Sequence, residues 1–267
     1  MSQEPLINEQ ERRVALVMAG TKGLGFASAK ALGRAGAEVV ICGREQGALD
    51  AAVAALHDEG IQARGIVADV SKAASLDALF GACDERCGRL DVVVANAGGP
   101  PLGGFEALTD EHWEAAFQLT FMSVVRAARL ALPRFRQVGG GRFLVIGSSS
   151  VRRPIPGLMS SNALRPGLAG LVKSLATEVA AEGITVNMVS PGRIGTDRTQ
   201  EHDAKRATEQ GVDVSEVRDA SIGLIPAGRY GEPDELGAMI AFLASPAAGY
   251  VTAQSILVDG GLAATLP

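Results

Sequence analysis

The sequence predicts an α/β fold: a doubly wound, seven-stranded parallel sheet with helices on both faces. Short apolar runs alternate with longer helical stretches along the chain, and a glycine cluster directly follows the first apolar run. A parallel strand covered on both faces reads as a continuous apolar run rather than an alternating one. With 267 residues, 47% of them hydrophobic, the chain is long enough to bury about three quarters of its unfolded surface in one domain.

The elements follow in order. Residues 14–19 form the first strand, and a helix over 24–35 ends at Gly36. A strand over 38–43 leads to a helix over 46–59 that Gly60 terminates. The strand over 63–68 precedes a helix opened by Ser71 as N-cap. A strand over 90–95 runs into the loop Gly98-Gly99-Pro100-Pro101. One long helix spans 110–138 behind Thr109 as its cap, and the glycines at 139–141 reset the chain for a strand over 142–147. A second long helix covers 156–182 and feeds a strand over 184–189. Residues 192–230 are charged and lack strand periodicity, so they read as a loop serving as a substrate lid. A helix over 233–244 starts with Pro233 at its first position, and 255–258 is the last strand. The expected organisation is one domain over 1–267 with no internal repeat, residues 1–12 being a flexible arm.

Composition narrows the partners. A net charge of −5 argues against an electrostatic nucleic-acid surface. The cysteines Cys42, Cys83 and Cys87 form an odd, sparse set that fits a reducing compartment. Cys83 and Cys87 lie four apart on a helix, but nothing completes a four-ligand metal site, so no metal is expected. No apolar run reaches the roughly 18 residues of a membrane span, and the start of the chain has no basic or apolar leader pattern. A cytoplasmic protein without membrane association is expected.

The chemistry-bearing motifs sit at strand ends. Gly20-Thr21-Lys22-Gly23-Leu24-Gly25 lies between the first strand and the first helix. Glycines there let the backbone approach a pyrophosphate held at a helix N-terminus. Asp69-Val70 follows the third strand, Asn96-Ala97-Gly98 the fourth, Ser148 the fifth, and Pro191-Gly192-Arg193-Ile194-Gly195-Thr196 the sixth.

In order and spacing these segments resemble the short-chain dehydrogenase/reductase family, over about residues 12 to 262. The resemblance implies a Rossmann-type nicotinamide-binding domain and, as its nearest pattern, a 3-oxoacyl-carrier-protein reductase. It implies cofactor contacts from Gly20, Thr21, Lys22, Gly23, Leu24 and Gly25, from Arg44, Asp69 and Val70, and from Asn96, Ala97 and Gly98. It adds Pro191, Gly192, Ile194 and Thr196 on the nicotinamide side. Met18 and Ala19 replace the threonine and first glycine of the family's loop, and Ala95 its first asparagine. At the end of the second strand, where NAD-selective relatives place an acid, this chain reads Cys42-Gly43-Arg44. Arg44 and Lys22 would favour a ribose 2′-phosphate, so NADP(H) is expected over NAD(H); the alternative is that both cations sit at a solvated edge.

The family's reaction centre uses asparagine, serine, tyrosine and lysine. Spacing puts Thr120, Ser148, Ser161 and Arg165 at those positions. Serine is a far weaker acid than a phenol, and arginine does not serve as a base. Arg165 can instead hold ribose hydroxyls, a carboxylate or a developing oxyanion. Arg152 and Arg153 read either as anion contacts or as a solvated or oligomer-facing pair, and His202 as a lid proton source or a surface residue.

The leading expectation is an NADP(H)-dependent oxidoreductase acting on a small carbonyl or alcohol substrate with an atypical tetrad. The alternatives are a non-redox lyase resembling halohydrin dehalogenases, or a cofactor-binding member without catalysis. The family's habit implies a homotetramer or homodimer.

Overall fold

The computed structural model describes residues 12–264; most of the arm expected over 1–12 lies outside the described residues. Seven parallel strands form one sheet: β1 (Val14–Val17), β2 (Glu38–Gly43), β3 (Ala63–Val67), β4 (Val92–Ala95), β5 (Gly141–Ile146), β6 (Ile184–Pro191) and β7 (Ser255–Val258). Their spatial order is β3-β2-β1-β4-β5-β6-β7. Val14, Ala15, Leu16 and Val17 pair with Glu38 to Ile41 on one side, and Ala15 to Val17 pair with Val92 to Val94 on the other. The sheet reverses its winding between β1 and β4, which opens a crevice at the strand C-termini.

The helices are α1 (Gly23–Arg34), α2 (Gln46–Asp58), α3 (Ala73–Cys87), α4 (Asp110–Phe117), α5 (Ser123–Gln137), α6 (Met159–Val179), α7 (Asp197–Gln210), α8 (Val214–Ile222) and α9 (Pro233–Ala244). Two cores sandwich the sheet, as expected for strands that are apolar on both faces. Leu79, Phe80, Phe135 and Phe143 centre one, and Leu32, Ile41, Leu56 and Leu243 the other.

Four expectations change. Residues 192–230 are not a loop: α7 and α8 occupy most of the segment, opened by caps from Thr196 and Asp213. The helix expected over 110–138 is interrupted by a π-turn at Gln118–Met122. That run, Asp110–Gln137, is 28 residues long and, by length and composition, apolar enough to cross a membrane. Counting consecutive apolar residues missed this, because charged residues punctuate a long helix. Its buried stripe, Val124, Ala127, Ala128, Ala131 and Phe135, packs into the sheet-covering layer. Finally, Ser71 does not cap α3: the N-cap is Lys72, and the Ser71 hydroxyl instead donates to Asp69 Oδ1 at 2.7 Å.

Candidate active site

A cavity of about 600 Å³ runs along the C-terminal ends of the strands. At one end it is lined by Arg44, Asp69 and Val70; in the middle by Thr21, Lys22, Gly23, Leu24, Asn96, Ala97 and Gly98; at the other end by Ser148, Ser161, Arg165, Pro191, Gly192, Ile194 and Thr196. These are the expected site residues except three.

Gly20, Gly25 and Thr120 do not line it. The two glycines shape the loop instead. A Cβ on Gly20 would sit 2.9 Å from Ile41, and one on Gly25 would overlap the Ala19 carbonyl oxygen. Asn96 Nδ2 donates to that same carbonyl at 3.1 Å, so β4 pins the turn. Thr120 lies in the π-turn, buried, with its hydroxyl donating to the Ala116 carbonyl at 2.6 Å. A hydroxyl used up inside its own helix is not presented to a substrate.

The middle of the cavity fits a dinucleotide. Gly23 takes φ +56° and starts α1 with no acid in its first turn, leaving the helix's free N–H groups to an anion. A Cβ built on Gly98 meets nothing within 4 Å, so that backbone is open to close approach. At the far end, burial pushes the Asp69 carboxyl up, but hydrogen bonds from Ser71 and the charges of Lys72 and Arg44 outweigh it and hold the group below its usual range. Lys22 turns toward α7 and pairs with Asp197 at 3.2 Å, both side chains well exposed.

At the reacting end, the Ser148 hydroxyl accepts from the Ser150 backbone N–H at 3.1 Å, which leaves its own proton free to donate. Ser161 is buried on the first turn of α6, its hydroxyl 3.4 Å from that of Ser150. Arg165, one turn on, donates from Nη1 to the Ile146 carbonyl at 2.8 Å. Burial, and secondarily the charge of Arg198, lower its pKa to about 10. It therefore stays cationic at neutral pH. Arg152 and Arg153 are exposed and do not line the cavity.

The chain matches the profile of the family described as Enoyl-(Acyl carrier protein) reductase over residues 18–263. It belongs to the short-chain dehydrogenase/reductase family. With membership comes the coarse class, an oxidoreductase of that type. Among its relatives, a dehydrogenase/reductase SDR family member 4 from Oryctolagus cuniculus is 33% identical over 97% of this chain and 95% of its own length. A putative ketoacyl reductase from Streptomyces coelicolor is 34% identical over 95% and 98%. Among solved structures, an actinorhodin polyketide ketoreductase with NADPH superposes with a TM-score of 0.92 at 33% identity, covering 96% of this chain and 99% of that one. L-sorbose reductase from Gluconobacter frateurii, complexed with NADPH and L-sorbose, gives 0.90 at 28% identity, covering 96% and 98%.

Within this family frame, neither tyrosine of the chain supplies a phenol to the cavity. Tyr230 is buried and donates to Asp203 Oδ2 at 2.8 Å, while Tyr250 is fully exposed. Three cavity residues carry roles the sequence did not reveal. Arg193 donates to Asp203 Oδ1 at 2.6 Å and to His202 Nδ1 at 3.2 Å. Because arginine only donates, His202 accepts at Nδ1 and directs its Nε2–H to the Pro156 carbonyl at 3.2 Å. That neutral ring is a buried strut joining α7 to the loop before α6, not a surface residue. Arg198 is the third, in the first turn of α7 with its guanidinium against Gly99. Its segment reads as a loop in the sequence; the capping Thr196 is the one local signal of a helix there, and no periodicity marks which face Arg198 takes.

Proposed function

We propose that this protein is an NADP(H)-dependent oxidoreductase of a small carbonyl/alcohol pair in which Ser148, Ser161 and Arg165 do the work usually given to serine, tyrosine and lysine. The observation that carries this reading is that Ser148 and Arg165, each with donors to spare, line the same cavity as the phosphate-type loop at the α1 N-terminus. Thr21 to Leu24 would hold the diphosphate, Asp69 and Val70 the adenine end, and Arg44 a 2′-phosphate. When bound, the nicotinamide supplies the hydride chemistry.

The chain's own residues then act on the substrate oxygen. Hydroxyl donors from Ser148 and Ser161 polarise it, and the fixed positive charge of Arg165 stabilises negative charge developing there. None of them is an efficient proton source, so water provides the proton. Losing a positioned general acid costs about 10²–10⁴-fold, which makes slow turnover on generic ketones the expected behaviour. NADPH support for the reading comes from the ketoreductase and sorbose reductase relatives, both solved with that cofactor.

The test is NADPH consumption with a panel of ketones and 3-oxoacyl thioesters. Replacing Ser148→Ala should lower kcat/KM by about 10²–10³-fold while NADPH affinity, read by calorimetry, is unchanged. The absence of a cavity tyrosine favours a second reading, a cofactor-binding member without turnover. Unchanged residual activity in Ser148→Ala would select that one.

A further inference from the structure

Two guanidinium groups at the reacting end of the cavity are poorly neutralised: Arg165 has no carboxylate partner among the described residues, and Arg198 has only the exposed Glu201. Among the described residues, Arg165 makes a single hydrogen bond, to a backbone carbonyl. Arg198 lies against the Gly99 backbone, where a Cβ would collide with its guanidinium, and Nη2 donates to the Pro100 carbonyl. Its one carboxylate neighbour, Glu201, is 3.6 Å away and 60% exposed. The two arginines line the same cavity, and repulsion from Arg198 is one of the effects acting on Arg165.

Most of the remaining charges of the cavity are engaged elsewhere, and Arg44 lies at the other end, beside Asp69 and Val70. Lys22 pairs with Asp197, Arg193 with Asp203, and Asp69 with the Ser71 hydroxyl. Two cations sharing a partly enclosed space are unfavourable unless an anion neutralises both, and the exposed Glu201 answers only Arg198, and weakly. The glycine loop already offers backbone N–H groups for a cofactor diphosphate at the α1 N-terminus, away from Ser148. Guanidinium forks match the planar two-oxygen geometry of a carboxylate.

We propose that Arg165 and Arg198 together bind a substrate carboxylate, so that the preferred substrate is a small oxo-acid or the corresponding hydroxy-acid. This deepens the reductase reading and rests on it. Arg198 is the specificity residue of the pair: it belongs to α7, and so brings the lid helix onto the acid.

The experiment compares oxo-acids from pyruvate to levulinate with their methyl esters, using NADPH and the full chain, wild type beside Arg198→Met and Arg198→Lys. The wild type should favour acid over ester by about tenfold or more in kcat/KM, a modest charge-assisted interaction. Arg198→Met should lose that preference through a raised KM for the acid, and Arg198→Lys should restore part of it. Calorimetry of acid and ester into the protein saturated with NADP⁺ gives a readout free of turnover, in which only the acid should bind. Acid binding without turnover would sink the reductase reading and leave the carboxylate site standing. Turnover of neutral ketones with no acid preference would do the reverse. A tenfold loss of NADPH affinity in Arg198→Met would overturn the inference too, by assigning the guanidinium to the cofactor's phosphates.

Discussion

Position 19 shows what one methyl group does to a binding loop. Ala19 takes φ +47°, in the left-handed region that disfavours a Cβ, where the family's loop has its first glycine. The conformation is held because Asn96 grips the Ala19 carbonyl and the Cys42 thiol receives its N–H at 3.4 Å. A non-glycine residue there costs about 1–2 kcal/mol, part of which glycine would return in unfolded-chain entropy. Ala19→Gly should therefore stabilise the protein by roughly 0.5–1 kcal/mol, seen as a shift of the denaturant midpoint at constant slope. A midpoint that falls would mean that the Ala19 methyl makes packing contacts worth more than the strain. By the opposite steric logic Gly25 admits no side chain at all, since the Ala19 oxygen fills that space.

At the scale of elements, α7 separates what was readable in the sequence from what was not. The strands and their covering helices announce themselves as apolar runs, and β2, β7 and α9 fall on the expected residues. The segment Asp197–Gln210 is strongly hydrophilic, and its buried residues are His202, Asp203 and Ala207. A helix whose buried face is made of a polar network leaves no apolar stripe to read, so Arg198 goes unremarked in the sequence and the structural roles of Arg193 and His202 are not legible there. The caps at Thr196 and Asp213 were the available signal. That network predicts a pH effect. Burial first, and then the Arg193 charge, lower the His202 pKa in the folded protein, while in the unfolded chain it is about 6.5. The unfolded state takes up the proton first, so the stabilisation is complete well above pH ~6.5 and is lost as pH falls through that value toward the folded pKa. The midpoint of unfolding should drop between pH ~7.5 and ~5.5, and drop less in His202→Gln, whose amide can reproduce both hydrogen bonds. Equal losses would assign the pH dependence to another group.

For the whole molecule, the strand order gathers residues that are far apart in sequence. The reversal between β1 and β4 brings Gly23, Asn96 and Ser148 to one crevice, from three successive strand ends counted outward. The spacing of motifs along the sequence was enough to anticipate this, because in a parallel sheet every strand delivers its C-terminal loop to the same edge. Ligand binding at that edge should stabilise the entire fold. At a hundredfold excess over Kd, NADPH should add about 2.7 kcal/mol, raising Tm by roughly 5–10 °C for a chain of this size. NADH at the same concentration should raise it less, and Arg44→Ala should erase the difference. Equal shifts for both cofactors in the wild type would place Arg44 at a solvated edge with no part in selection.

The guanidinium at position 165 has a kinetic consequence as well. A phenol assisted by an ammonium group changes protonation state within reach of ordinary assay conditions, so an enzyme built on that pair carries a pH limb in its rate. Ser148 and Ser161 have no such ionisation, and Arg165 keeps its proton up to about pH 10. The reacting end of this cavity thus presents one fixed electrostatic face across the neutral range. On the proposed reductase reading, its pace there would be set by how readily solvent delivers a proton, and not by the titration of a catalytic side chain.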